Sequence, residues 1–72
     1  MKYKKLKLKI KEVFDTQEAF AEALGMSYTA LNFRLNDKIE WKSSEMFKAC
    51  KLLNIALCDL YIYFCTEEVE EN

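Results

Sequence analysis

The side chains of this chain that could do chemistry are lysines, amides and aromatics, not acid–base pairs or metal ligands. Lys2, Lys4, Lys5, Lys7, Lys9 and Lys11 crowd the start of the chain, a run that either solvates one helix face or neutralises phosphates. Tyr28, Phe33, Trp41, Tyr61 and Tyr63 are of the types that anchor protein interfaces when exposed and fill cores when buried; Trp41 is assigned to the core and Tyr28 to the surface. There is no histidine, no glycine-rich phosphate loop and no carboxylate pair framed by pocket-forming strands, so catalysis is not expected. Cys50, Cys58 and Cys65 are odd in number, lack C-x-x-C spacing and have no histidine to complete a zinc site. No metal or other cofactor is therefore expected, and the thiols are read as reduced and buried or half-buried.

These side chains need a scaffold, and the stretch TQEAFAEALGMSYTALNFRLN, from Thr16 to Asn36, has the residues of a helix-turn-helix. Ala21 keeps the first helix thin where a second must cross it, Gly25 supplies a left-handed turn, and Leu31 pins the second helix to the core. Thr16, or Asp15 with Glu18 as a capping box, can satisfy the free amides of a helix running through Leu24. Ser27 can cap a second helix over roughly Tyr28 to Leu35, with an exit at Asn36-Asp37. Phe20, Leu24, Met26, Leu31 and Leu35 form the expected buried set, which leaves Tyr28, Thr29, Asn32 and Phe33 on the outer surface.

The flanking segments must complete a core around that unit. KLKLKIK alternates like a half-buried strand, yet Tyr3, Leu6, Ile10 and Val13 recur at helical spacing. The helical reading is preferred, because a lone heptapeptide strand would have no pairing partner. After Trp41, Ser43-Ser44 reads as a cap for a helix whose stripe is Met46, Ala49, Cys50 and Leu53, closed by Asn54. Leu57, Leu60, Tyr61 and Phe64 suggest a short fifth helix. The expectation is an all-α, compact five-helix domain over residues 1–65, followed by an acidic tail over 66–72 that is expected to be disordered. Seventy-two residues, 51% of them hydrophobic, with one glycine and no proline, suit one small domain that buries about 60% of its unfolded surface and gains from oligomerisation. No apolar run approaches the roughly 18 residues of a membrane span and no signal peptide is evident, so a cytoplasmic protein is expected.

The helix-turn-helix stretch, the capped helix after it and the closing DLYIYF segment resemble the lambda-repressor/Cro class of helix-turn-helix regulators. The tract EWKSSEMFKACKLLNI further resembles small Cro-like proteins of temperate phages of Gram-positive bacteria, and the resemblance spans about Tyr3 to Cys65. It implies a genetic-switch protein acting at double-stranded operator DNA, with the second motif helix in the major groove. Carried onto this sequence, the base-reading positions are Tyr28, Thr29 and Asn32, with Phe33 and Arg34 beside them. Asn can pair with adenine, Thr can meet thymine, and Tyr can donate to phosphate or stack. Thr16, Gln17, Lys38, Lys5, Lys7 and Lys9 complete the implied contact set. Tyr61 and Phe64 are the candidates for a homodimer contact.

The sequence also departs from that pattern. Tyr28 and Phe33 stand where many relatives carry basic or small polar residues, Asp37 stands where a turn glycine is common, and Arg34 is the one cation on the second motif helix. The first fourteen residues carry a net +5 and the remainder −6, so only the amino-terminal segment offers the basic face that duplex binding ordinarily needs. A second class therefore stands beside the DNA binder: a modulator of repression or antirepressor that keeps the fold but docks on a companion phage repressor. Its docking face would combine Asp15, Glu18, Glu22 and Asp37 with Tyr28 and Phe33.

Overall fold

Helical spacing in the lysine-rich segment decides its structure: Leu6 and Ile10, four residues apart, are completely buried, and the chain from Lys4 to Phe14 is a helix, α1. In this computed structural model, which describes residues 3–65, four further α-helices follow: α2 (Gln17–Leu24), α3 (Tyr28–Leu35), α4 (Ser43–Leu53) and α5 (Leu60–Phe64). A 3-10 turn, Leu57–Asp59, leads into α5. The described residues contain no strand, so the fold is all-α with five helices, and the alternating lysines lie on a helix surface. The proposed acidic tail, 66–72, lies outside the described residues.

The α2–α3 unit forms as its residues dictate. The Thr16 side chain accepts from the Ala19 amide at 3.1 Å, and the Ser27 side chain accepts from the Ala30 amide at 3.0 Å. Each hydroxyl satisfies one of the orphan donors of a first helical turn. Gly25 ends α2 at φ 83°. A methyl group there would meet the Lys48 Nζ at an ordinary 3.8 Å, so the left-handed backbone, not lack of space, requires glycine.

Two more helices end the same way without glycine. Gly25, Asp37 and Asn54 all have left-handed φ. At each, the residue's own N–H bonds the carbonyl three residues back and the next N–H bonds the carbonyl five back: Glu22 and Ala21, Arg34 and Phe33, Lys51 and Cys50. This is the Schellman closure, which satisfies the last carbonyls of a helix. Asn and Asp are the side-chain-bearing residues that tolerate it best.

One expected cap differs. Ser43 and Ser44 lie inside the first turn of α4, and Lys42 occupies the cap position. The Glu45 carboxylate reaches back to accept from the Lys42 amide at 3.0 Å, which leaves the serines no capping role.

All of α1 to α5 contribute to one core. Leu6 and Ile10 share one buried cluster with Phe20, Ala21 and Leu24 of α2, Leu31 and Leu35 of α3, Ala49, Cys50 and Leu53 of α4, and Phe64 of α5. Burying each large aliphatic or aromatic side chain contributes about 1.5–3 kcal/mol, and among the described residues no polar or charged one is buried with them. Met26 and Met46, expected in the core, sit half-buried at its edge. Trp41 is buried as expected, and its ring meets Phe64 edge-on, with centroids 5.0 Å apart. Phe47 is exposed. α1 packs on α2, α4 and α5.

Candidate nucleic-acid interface

The outer face of α3 follows from its inner one. Leu31 and Leu35 are buried, so the residues roughly opposite them at 3.6 per turn, Thr29, Asn32, Phe33 and Asn36, recur at i, i+3, i+4, i+7 on the outside. Thr29 and Asn36 are exposed and Asn32 is half-buried. Phe33 is 41% and Tyr28 43% exposed. The Asn36 amide donates to the Asn32 Oδ1 at 3.0 Å, which fixes the orientation of the Asn32 side chain and leaves that oxygen a second lone pair.

Arg34 is not part of this face. Its Nε and Nη2 donate to the two carboxylate oxygens of Glu45 at 2.9 and 3.0 Å, and its Nη1 donates to the Ala30 carbonyl at 3.0 Å. The two side chains are only 13% and 18% exposed. The guanidinium beside Glu45 holds the carboxyl below its usual range, and the Lys42 amide adds to the effect against the opposing cost of burial. This fork-to-fork pair is charge-assisted and directional. It clamps α3 to the first turn of α4 and draws the cation away from the outer surface.

Gln17, the first residue of α2, lies beside α1. Lys7, Leu8, Ile10, Lys11, Asp15 and Gln17 line one groove of about 400 Å³. Lys7 and Lys11 are one turn apart and flank the amino-terminal end of α2, whose dipole also favours an anion. Lys5 and Lys9 line a different groove, with Leu8, Glu12 and Tyr63, on the other flank of α1. Lys9 lies 3.9 Å from Glu12 and Lys11 lies 3.7 Å from Asp15; such surface pairs are weak enough to exchange for phosphate. The chemistry present is thus an uncharged polar and aromatic face on α3 and a lysine-bearing groove between α1 and the start of α2.

Residues 1–67 match the family model described as Protein of unknown function (DUF739). The chain belongs to this family. No curated protein matches it.

Other expected positions in this DUF739 protein fall in different places. Lys38 is exposed just past the end of α3, where its N–H completes the helix closure. Glu18 and Glu22, one turn apart, are both exposed on α2, and Asp15 and Asp37 are exposed at the two ends of the unit. Tyr61 is exposed, but Phe64 is buried, so the expected pairing of these two in a dimer contact is corrected: Phe64 is committed to Trp41. Lys48 is a residue that sequence reasoning missed. Its Nζ donates to the Leu24 carbonyl at 3.2 Å, placing a cation at the end of α2 from 24 residues away. Cys50 is buried, and burial raises its thiol above the ordinary range, so it stays protonated and acts as a small apolar residue.

Proposed function

We propose that this protein is a lambda-repressor/Cro-like regulator of phage type that binds operator DNA, with α3 in the major groove. The observation that carries the reading is the capped α2–α3 unit with Thr29, Asn32, Phe33 and Asn36 on the outer side of α3; the groove of Lys7, Lys11 and Gln17 at the start of α2 adds cations. In this docking geometry the first residues of the second motif helix meet base edges while the start of the first motif helix approaches the phosphate backbone. Thr29 and Asn32 are the base-reading residues, Tyr28 is a phosphate or stacking contact, and Gln17, Lys7 and Lys11 position the backbone. The resemblance in sequence to Cro-like phage proteins supports a role in a genetic switch, acting in the host cytoplasm. Arg34 has no direct part in this reading; it holds α3.

A companion-repressor partner is the second reading, favoured by the exposure of the acids Glu18 and Glu22 on α2 and of the rings of Tyr28 and Phe33 on α3. Selection from a random duplex library, followed by titration of wild type, Thr29→Ala and Asn32→Ala, separates the two. A DNA reader enriches a defined site, and either substitution costs about 1–3 kcal/mol there while leaving random DNA unaffected. Failure to enrich any duplex, with tight binding to the companion repressor, installs the second reading.

A further inference from the structure

We infer that the α3 face selects A·T base pairs and carries no guanine reader, because Glu45, outside the motif, holds Arg34 out of the groove. The inference rests on the DNA-binding reading above and specifies its ligand. Guanine is most often read by a bidentate Arg or Lys on its O6 and N7. Three of the five guanidinium N–H donors of Arg34 are taken, two by Glu45 and one by the Ala30 carbonyl, and the side chain is only 13% exposed, held against α4. Lys38, the next cation, follows the carboxy-terminal end of α3, whereas the amino-terminal residues meet the bases.

What remains on the outer face reads A·T pairs. Phe33 and the Thr29 methyl offer apolar surface to a thymine methyl. Asn32 can accept from adenine N6 with its second Oδ1 lone pair and donate to N7 through its amide, and the bond from Asn36 holds that amide in orientation. Each of these side chains finds a partner on an A·T pair.

The test uses the full chain and begins with selection from a random duplex library. Sites enriched by wild type should carry A·T pairs under α3. Replacing single thymines there by deoxyuridine, which removes only the methyl, should weaken binding about fourfold at the Phe33 contact, and Phe33→Ala should be indifferent to that replacement. Arg34→Met should keep the wild-type preference, while Glu45→Ala, which releases the guanidinium, should enrich guanine at one position. Enrichment of G·C pairs by wild type, no response to any deoxyuridine, or a base preference lost in Arg34→Met would overturn the inference and leave DNA binding standing. Because deoxyuridine alters only the DNA, that arm decides the matter even where a protein variant folds poorly. If no duplex is enriched at all, the DNA reading fails and this inference fails with it.

Discussion

The Glu45 carboxylate is shared between two helices: one oxygen caps the Lys42 amide and also meets Arg34 Nε, and the other meets Arg34 Nη2. Hydrogen bonds to charged groups contribute about 1.5–3 kcal/mol, so Arg34→Ala or Glu45→Ala should lower unfolding free energy by about that amount in urea titrations. The pH dependence has a definite sign. The folded carboxyl lies below its unfolded value of about 4.3, so its extra stability is present above that pH and is lost as pH falls through the folded value. Glu45→Gln should flatten the acid limb of a stability profile measured from pH 7 down to 3; an unchanged limb would show that the pair contributes nothing. None of this could be read from the sequence. Arg34 and Glu45 are eleven residues apart on different helices, and only the tertiary fold brings them together. Phe64 presents the same difficulty, since in LYIYF every residue is apolar or aromatic and periodicity cannot tell the buried ring from the exposed Tyr61.

At the scale of elements, most boundaries were legible because they rest on local chemistry. Thr16, Ser27, Gly25 and Asn54 cap or close helices where their side chains or backbone freedom allow it. The α1 helix was legible by exclusion, as the alternating lysines fit strand and helix equally and only the missing partner strand decided. The α4 start was misread because two serines resemble a cap more than a glutamate reaching back does. Asp15 shows the strain this chain accepts at a corner. It sits at φ 71° and ψ −46° between α1 and α2, with the Thr16 amide bonded to the Phe14 carbonyl at 2.7 Å, a γ-turn with positive φ that is rare and strained for a side-chain-bearing residue. Its ion pair with Lys11 is exposed and worth little. Asp15→Gly should therefore stabilise the protein by roughly 0.5–1 kcal/mol after the entropy that glycine adds to the unfolded chain. That is a melting-temperature rise of several degrees in a domain of this size, at about 4–8 °C per kcal/mol. A fall in melting temperature would mean that the aspartate side chain supports the corner.

For the whole molecule, the charge that seemed concentrated on one segment is divided by the helix that carries it. The sequence placed Lys5, Lys7 and Lys9 together as phosphate contacts, because charge density along a chain does not reveal which flank of a helix each residue occupies. In the structure Lys7 and Lys11 join Gln17, whereas Lys5 and Lys9 line a groove with Tyr63. Affinity for duplex DNA in an otherwise acidic protein must come from phosphate neutralisation, and each phosphate neutralised adds about 0.9 to the slope of log affinity against log salt. Lys7→Gln with Lys11→Gln should thus reduce the measured slope by up to about 1.8 and weaken matched and random duplexes alike. Lys5→Gln with Lys9→Gln should leave the slope within error of wild type, although both pairs remove the same formal charge. Equal flattening by the two pairs would mean that a diffuse field of the amino-terminal helix, and not a located phosphate contact beside α2, steers the protein to DNA.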